Sequence, residues 1–229
     1  MTDTPYVVMN IAMTADGKTD TIARRGALIS SPLDMMRVDQ LRASCDAIMV
    51  GGHTLLGDDP RLVLKTRELQ LTRLAEGKDE NPMKVGVVTI ADLDPDSRFL
   101  NYGHAKITIF TTCKTPQKKI EELHDRGVKV FISEDSRVDL RRAIAQLGVL
   151  GVKRLLVEGG GTLNEELIRL GLVDELNIYI APLIFGGATA PTFASSSGFE
   201  RKNAKKLELK TVQKYEDGGL VLNYHFIKY

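Results

Sequence analysis

The sequence predicts a single α/β domain over residues 1–229, with a mostly parallel sheet, helices on both faces and an antiparallel C-terminal hairpin. Two observations predict this class. Short apolar, β-branched runs alternate with segments of helical periodicity, as in a parallel sheet whose strands are connected by helices. The C-terminal part instead has two strand-like runs separated by Glu216-Asp217-Gly218-Gly219, which is the pattern of a hairpin.

Apolar runs predict the strands, because runs of about four to eight apolar and β-branched residues are typical of buried strands. The runs before the hairpin are Tyr6–Met13, Ala47–Val50, Lys84–Thr89, Lys106–Thr111, Val128–Ile132, Arg154–Val157 and Glu175–Ile180. The hairpin strands are predicted at Leu207–Lys214 and Leu220–Ile227.

Helical spacing marks several of the segments between these runs. The apolar positions between residues 140 and 147 follow the spacing of one helix face, and so do Leu163, Leu167 and Leu170. Ser31-Pro32 and Thr115-Pro116 each predict a helix start, with the hydroxyl residue as the N-cap and the proline as the first helical residue.

Two segments of the helical type are less regular. Apolar residues lie all around the helix that follows Ser31, so we expect this helix to be covered on more than one side. Residues 65–82 are rich in charge and favour a helix up to about Glu76. We interpret them as an excursion on the surface of the domain.

Composition excludes several classes of protein. Hydrophobic residues make up 43% and charged residues 27% of the chain, which argues against general disorder. The formal net charge of +1 argues against a broad electrostatic footprint for nucleic acid or an anionic membrane. The uncharged stretch from Leu176 to Phe199 is broken by prolines and glycines, so a strand followed by a loop fits it better than a membrane span.

The two cysteines, Cys45 and Cys113, are too few for a disulfide framework or a metal cluster. Reduced thiols and an N-terminus without the pattern of a signal peptide lead us to expect a cytoplasmic protein. The four histidines are scattered and have no metal-ligand spacing, so no metal site is predicted.

The segment from Leu155 to Glu165 carries the strongest chemical signal. An apolar strand ends in Glu158, three glycines follow, and Thr162 with Glu165 predicts a capping box at the start of a helix. Glycines that approach an anion and the N–H groups of a helix N-terminus form a phosphate cradle. The alternative is a tight strand-to-helix turn that needs glycine for its geometry alone. The acid at the strand tip favours a ligand site.

Two further loops follow predicted strands. Gly51-Gly52 is followed by Thr54 and Asp58, which are four residues apart and predict one face of a short helical turn. The alternative there is a glycine turn with an Asp-Pro stop. Asp16-Gly17 predicts a turn after the first strand. Without a nucleophile motif or a metal motif, these loops favour a bound nucleotide that supplies the chemistry.

The loops together resemble the riboflavin-biosynthesis reductases. The matching segments are Ala12–Lys18, Leu41–Ala43, Asp46–Ile48, Gly51–Pro60, Glu158–Gly161, Gly171–Leu176 and Ala181–Gly187. The resemblance implies a dihydrofolate-reductase-like three-layer fold, NADPH as the cofactor and a homodimer. It also implies reduction of the sugar of a ribosylaminopyrimidine 5′-phosphate to a ribityl chain. The absence of deaminase ligands in this sequence implies the free-standing archaeal or fungal type, which acts on the 2,5-diamino-pyrimidinone.

The resemblance also implies roles for single residues. The implied cofactor-binding residues are Ala12, Gly52, Thr54, Asp58, Thr89, Ile90, Gly159, Gly160, Gly161, Thr162 and Leu163. The implied substrate contacts are Arg42, Leu62, Lys65 and Glu158, and Glu158 is also the implied catalytic residue. We place the 2′-phosphate of NADPH near Thr89 and Thr111-Thr112, with Lys114 as a candidate cation.

Three alternatives stay open at this point. The same reduction could act on the deaminated aminouracil. A dihydrofolate-type reductase would use Asp34 or Asp39 as its ring-protonating carboxylate. A non-catalytic nucleotide-binding protein would keep the fold without turnover.

Overall fold

The computed structural model describes residues 4–227. Within these residues the strands are β1 (Tyr6–Thr14), β2 (Ala47–Gly51), β3 (Met83–Val87), β4 (Ile107–Thr112), β5 (Lys129–Ser133), β6 (Arg154–Val157), β7 (Glu175–Ala181), β8 (Leu207–Lys214) and β9 (Leu220–Phe226). The helices are α1 (Pro32–Ala43), α2 (Arg67–Ala75), α3 (Arg98–Asn101), α4 (Gln117–Asp125), α5 (Leu140–Val149) and α6 (Gly161–Arg169). A π-helical turn covers Thr54–Asp58 and a 3₁₀ turn covers Arg201–Asn203. Among the described helices, none is long and apolar enough to cross a bilayer.

The chain divides into two compact units, which interleave in sequence. Of the described residues, the first unit holds 4–5 and 39–156, and the second holds 6–38 and 157–227. The prediction of one domain over residues 1–229 is taken up again below as a proposal.

The first unit is built on parallel strands in the order β5-β4-β3-β2-β6. The three pairs β5–β4, β4–β3 and β3–β2 are all parallel. Each residue of β2 is buried, as expected for a strand with both faces covered. Helix α5 buries all four of the apolar residues that predicted it, Leu140, Ala143, Ile144 and Leu147.

The second unit has the strand order β1-β7-β9-β8. β1 pairs with β7 in parallel, and the pairs β7–β9 and β9–β8 are antiparallel. The predicted hairpin is therefore confirmed, with β8 at the edge. Strands of both directions make the fold mixed α/β, as predicted.

Helix α1 differs from its prediction. The N-cap is confirmed, since the Ser31 hydroxyl accepts a hydrogen bond from the Asp34 N–H at 3.2 Å. The helix is not covered on several sides, because Leu33 and Met36 are 42% and 63% exposed. Its buried residues include two acids, Asp34 and Asp39, each of which has hydrogen-bond donors within reach.

Helix α4 begins one residue later than predicted. Pro116 is its N-cap, and Thr115 makes no cap hydrogen bond. The Thr115 hydroxyl instead accepts from the Ala91 N–H at 3.0 Å and shares a hydrogen bond with Thr111 at 2.6 Å. The hydroxyl that the local pattern assigned to the helix cap is therefore hydrogen-bonded to Ala91 and Thr111 instead.

The charged excursion contains helix α2 and is fastened to the first unit by one arginine. Arg73 is only 3% exposed, and its guanidinium donates to the carbonyl oxygens of Ala43, Cys45 and Asp79 at 2.8, 2.7 and 3.0 Å. Burial lowers the pKa of Arg73, and the nearby carboxylate of Asp46 partly offsets this. Arg73 thus anchors α2 to the segment between α1 and β2.

Candidate functional site

The carboxyl ends of β2, β3 and β4 lie at one edge of the first unit. The register aligns Gly51 with Val87, and Val87 with Phe110. Strand β3 ends at Val87, two residues before its predicted end, so Thr89 and Ile90 belong to the loop that follows it. This edge therefore brings together the predicted cofactor residues of the first unit: Gly52, Thr54, Thr89 and Ile90.

Gly52 packs closely against the neighbouring strand end. A Cβ on Gly52 would lie 3.2 Å from Cγ2 of Val88 and 3.6 Å from the carbonyl oxygen of Val87. A side chain at position 52 would therefore crowd Val88, which would have to shift by a few tenths of an ångström to make room.

Thr54 and Asp58 begin and end the π-helical turn, which confirms the predicted helical turn. The Asp58 carbonyl accepts from Nη2 of Arg98 at 2.7 Å. The next residue, Asp59, has φ +45° and accepts from the N–H groups of Arg98 and Phe99 at 2.8 and 2.9 Å. Burial alone would raise the pKa of Asp59, but these hydrogen bonds outweigh it and lower the pKa. Asp59 thereby caps helix α3 and fixes the turn that presents Asp58.

The threonines that follow β4 shape the Thr89 loop. Thr112 and Thr111 are fully buried, and their hydroxyls donate to the Thr89 carbonyl at 2.7 and 3.3 Å. The exposed side chains at this edge include those of Thr89, Ile90 and Lys114. The hydroxyls of Thr111 and Thr112 thus hold the Thr89 loop in place, and the placement of the 2′-phosphate near these residues stays a prediction.

The three predicted substrate residues of the first unit lie close together. Nη1 of Arg42 donates to the Val63 carbonyl at 3.1 Å, and the buried Asp39 carboxylate accepts from the N–H groups of Lys65 and Thr66, both at 2.9 Å. The segment from Leu62 to Thr66 is thus docked on the last turn of α1. Leu62 has φ +47° and is only 2% exposed, so little of its side chain is open to a ligand.

The glycine loop of the second unit has the backbone that the cradle requires. Gly159 and Gly160 have φ +109° and +55°, where L side chains are strained. A Cβ on Gly159 would meet no atom within 4 Å, so the loop borders open space. Half-buried Glu158 directly precedes these glycines at the tip of β6.

The predicted capping box at the start of α6 is wrong. Gly160 is the N-cap, and no side chain caps the helix. The carboxylate of Glu165 is buried and accepts from the N–H groups of Ser196 and Gly198 at 2.7 and 2.9 Å. Thr162 is exposed, and the N–H groups of the first helical turn have no intrahelical acceptor by geometry. They are available to an anion.

Ala12 of the second unit is half-buried on β1, directly opposite Tyr179 of β7. It packs against a cluster of buried residues, Ile29, Tyr179, Ala181 and Val221. The turn after β1 is held by Asp16, whose carboxylate accepts from the Thr14 hydroxyl at 2.5 Å and from the Gly186 N–H at 2.7 Å. The hydrogen bond from Thr14 and those from the Gly186 and Phe185 N–H groups lower the pKa of Asp16, although burial opposes them.

Each unit by itself has features that suit a ligand. The second unit has two glycines with positive φ and open space beside Gly159 at the start of helix α6, which suits an anion such as a phosphate. The first unit supplies exposed Thr89 and Ile90 at the ends of parallel strands, where α/β proteins bind ligands.

Comparison with known proteins extends this picture. The model of the RibD C-terminal domain family matches residues 5–221. The 2,5-diamino-6-ribosylamino-4(3H)-pyrimidinone 5′-phosphate reductase of Archaeoglobus fulgidus is 37% identical over 217 residues, which are 95% of this chain and 96% of that protein.

Solved structures show the same fold. A pyrimidine reductase-like protein from Corynebacterium diphtheriae superposes with a TM-score of 0.84 at 21% identity, covering 99% of this chain and 94% of that one. A dihydrofolate reductase from Enterococcus faecalis, solved with NADP(H), superposes with a TM-score of 0.51 at 14% identity, covering 97% of each chain. The predicted dihydrofolate-reductase-like fold is therefore confirmed.

Proposed function

Because the chain belongs to the RibD C-terminal domain family, we propose that it is the NADPH-dependent reductase of 2,5-diamino-6-ribosylamino-4(3H)-pyrimidinone 5′-phosphate in riboflavin biosynthesis. One observation carries the proposal. The similarity to the archaeal reductase runs along nearly the whole of both chains, so the complete unit of that enzyme is present here.

When bound, NADPH would supply a hydride to C1′ of the imine that forms when the ring of the ribosylamine opens. A proton from water or through Glu158 would complete the reduction to the ribityl chain. The protein has to hold the two reacting carbons about 3–3.5 Å apart, and this placement is the main catalytic task. No metal is needed for this chemistry.

The chain's own residues divide that task. The segment from Gly159 to Leu163 would hold the pyrophosphate, and Ala12 would contact the nicotinamide. Gly52, Thr54, Asp58, Thr89 and Ile90 would bind the remainder of the dinucleotide. Ala12 lies on β1, and Gly52, Thr89, Ile90, Gly159 and Gly160 lie in loops that follow strands. Thr54 and Asp58 bound the π-helical turn, and Gly161–Leu163 form the start of α6.

Arg42 and Lys65 would bind the 5′-phosphate of the substrate. The contact with the Val63 carbonyl orients the Arg42 guanidinium, whose planar fork suits a phosphate. Lys65 adds a mobile point charge, and the Asp39 carboxylate fixes its backbone. Glu158 would accept hydrogen bonds from the substrate's amines and manage the proton at the reacting nitrogen or oxygen.

A homodimer is part of the proposal. Apolar side chains of β8 are exposed at the edge of the second unit, with Leu209 49% and Val212 57% accessible. Exposed apolar surface of this kind marks interaction sites. A second copy of the chain is the partner that we propose for it.

The test is an assay of NADPH oxidation, followed by its ultraviolet absorbance, with three substrates. Oxidation with the diamino-pyrimidinone phosphate and much less with the deaminated aminouracil is the expected result. Faster oxidation with the deaminated compound would show that the enzyme acts after deamination of the pyrimidine rather than before it. Oxidation with dihydrofolate alone, or NADPH binding without turnover of any compound, would overturn the proposal.

A further inference from the structure

A segment far along the chain lies against helix α6. The strap, as we call residues 192–198, is held by side chains of that helix at three points. Nδ2 of Asn164 donates to the Phe193 carbonyl at 3.0 Å, the Glu165 carboxylate accepts from the Ser196 and Gly198 N–H groups, and Nη2 of Arg169 donates to the Ser197 hydroxyl at 2.8 Å. The strap is thus fixed along the helix from its first turn onward.

The strap places Ser195 beside the first residue of α6. The Ser195 N–H donates to the Gly161 carbonyl at 3.3 Å. A Cβ on Gly161 would overlap the Ser195 hydroxyl, and it would lie 2.9 Å from the Thr192 carbonyl oxygen and 3.2 Å from Cβ of Ser195. Gly161 is therefore a glycine because the strap passes directly over it, and Ser195 remains exposed to solvent at that point.

A second observation concerns Asn164, which lies in the next turn of α6. Its side chain is 1% exposed, and within residues 4–227 its Oδ1 has no hydrogen-bond partner. A buried acceptor without a partner calls for a donor that the described residues do not provide, such as a bound water or a hydroxyl or amide N–H of a ligand. A phosphate oxygen only accepts hydrogen bonds, so the donor to a phosphate at this end of α6 has to be another side chain.

We propose that Ser195 is a further dinucleotide-binding residue, whose hydroxyl donates a hydrogen bond to a phosphate oxygen held at the N-terminus of α6. The inference rests on the proposed function, because it assigns a residue to the same cofactor site. It adds a side-chain donor to a cradle that otherwise consists of glycines and backbone N–H groups.

The other hydroxyls of the strap do not fit this role. The Ser197 hydroxyl is engaged by Arg169, and the Thr192 hydroxyl donates to the Ala194 carbonyl at 3.2 Å. Ser196 is held through its backbone by Glu165. Ser195 is the strap residue whose side chain lies against Gly161.

The experiment compares NADPH affinity, measured by calorimetry, in wild type, Ser195→Ala and the matched control Ser196→Ala. A hydrogen bond to a charged group has a strength that corresponds to about a tenfold loss of affinity in Ser195→Ala. Ser196→Ala should stay within about twofold of wild type, since a solvent-exposed hydroxyl contributes little. Unchanged thermal unfolding of both variants shows that the strap stays in place.

NADH, measured in the same way, separates the phosphates. An equal loss with NADPH and NADH places the Ser195 contact at the pyrophosphate, as proposed. A loss with NADPH alone would place it at the 2′-phosphate and overturn the assignment. Equal affinity in wild type and Ser195→Ala would overturn the role of Ser195, whereas wild type that binds neither dinucleotide would overturn the proposed function itself.

Discussion

Glu158 combines a position at the tip of β6 with a direct connection to the glycine loop, and no other acid adjoins that loop in the sequence. In the proposed function, a carboxylate there would bind the substrate's amines and move a proton, while the neighbouring glycines would bind phosphate through their backbone. A substitution of Glu158 should therefore affect the reaction of the substrate, and a substitution of the glycines should affect cofactor binding.

We predict that Glu158→Gln lowers turnover about a hundredfold, the usual contribution of a positioned acid–base group, and leaves NADPH affinity unchanged. Steady-state kinetics and calorimetry measure the two effects. Glu134→Gln, an exposed acid after β5, is the control and should match wild type in both. Equal turnover in Glu158→Gln and wild type would remove Glu158 from the catalytic step.

Lys84 is a buried lysine on β3 that the sequence pattern treats as part of an apolar run. Its Nζ donates to the carbonyl oxygens of Phe99 and Tyr102 at 2.9 and 2.7 Å, at the end of α3. Asp59 caps the other end of the same helix. Burial lowers the pKa of Lys84 from 10.5 to about 8, and the charge of Asp59 offsets only part of this effect.

A lysine titration by carbon NMR should therefore show one residue that loses its proton near pH 8, while exposed lysines titrate at about 10.4. Between these values the unfolded chain binds a proton that the folded chain has released, so the contribution of Lys84 to stability rises with pH. Lys84→Met identifies the signal by removing it. A spectrum in which all lysines titrate together would contradict the predicted pKa.

At the scale of elements, the sequence predicted the strands, with their ends to within two residues, and most of the helices, but only one of three predicted helix caps. Arg154–Val157 and the four apolar positions of α5 were predictable because burial of a strand or of one helix face repeats at short, regular spacing. Thr115 and Glu165 have the right residue types for caps, yet their hydroxyl and carboxylate bind partners elsewhere. Thr162 is exposed and makes no cap hydrogen bond. Glu165 binds N–H groups 31 and 33 residues away, which no local pattern encodes.

The candidate site was likewise predictable only where the signal is local in the sequence. The glycines of the cradle and the helical turn of Thr54–Asp58 were predictable, because positive φ and short spacings leave a local signature. The strap, the cap of α3 by Asp59 and the burial of Leu62 were not. Each depends on which distant segments of the chain pack together, and a local sequence pattern does not encode that.

The hydrogen bonds between Glu165 of α6 and the strap lead to a prediction about the stability of the protein. Burial would raise the pKa of Glu165, but the N–H groups of Gly198 and Ser196, together with Arg169, outweigh it and lower the pKa. Glu165→Gln weakens these charge-assisted hydrogen bonds, so we expect the free energy of unfolding to fall by about 2 kcal/mol and Tm by about 4–8 °C.

Glu166→Gln is the matched control, since Glu166 is half-buried, one residue along, and pairs with Arg169 at 3.2 Å. It should cost less than about 1 kcal/mol. Because the folded pKa of Glu165 is lowered, its contribution is complete at neutral pH and is lost as the pH falls below about 4. Denaturant unfolding of wild type and Glu165→Gln, at neutral pH and below about pH 4, measures this contribution. A loss of unfolding free energy in Glu165→Gln that is equal at the two pH values would contradict the prediction.

For the whole molecule, we propose that the two interleaved units form one domain over residues 1–229. The boundaries between them fall within α1, after Val38, and within β6, after Leu156. Domain boundaries usually fall in exposed linkers with few contacts, not inside continuous elements. Calorimetry should therefore give one unfolding transition whose calorimetric and van't Hoff enthalpies agree. Two resolved transitions would show that the units unfold separately.

The strands of the second unit also carry the argument for a dimer. In their register Ile11, Ile178, Leu222 and Val212 lie side by side across β1, β7, β9 and β8. Residues opposite one another in register point to the same face, so this row is continuous and apolar. Its outermost members at β8 are exposed, which leaves apolar surface for a partner.

We expect the wild-type protein to sediment as a dimer, and Val212→Lys to sediment as a monomer because a charge is costly to bury without a partner. Leu71→Glu, on helix α2, is the matched control, because Leu71 is equally exposed at 52% but lies outside this row. It should remain dimeric, and circular dichroism should show that both variants stay folded. A monomeric wild type would refute the dimer. A dimer that survives Val212→Lys and is lost in Leu71→Glu would place the partner surface elsewhere on the molecule.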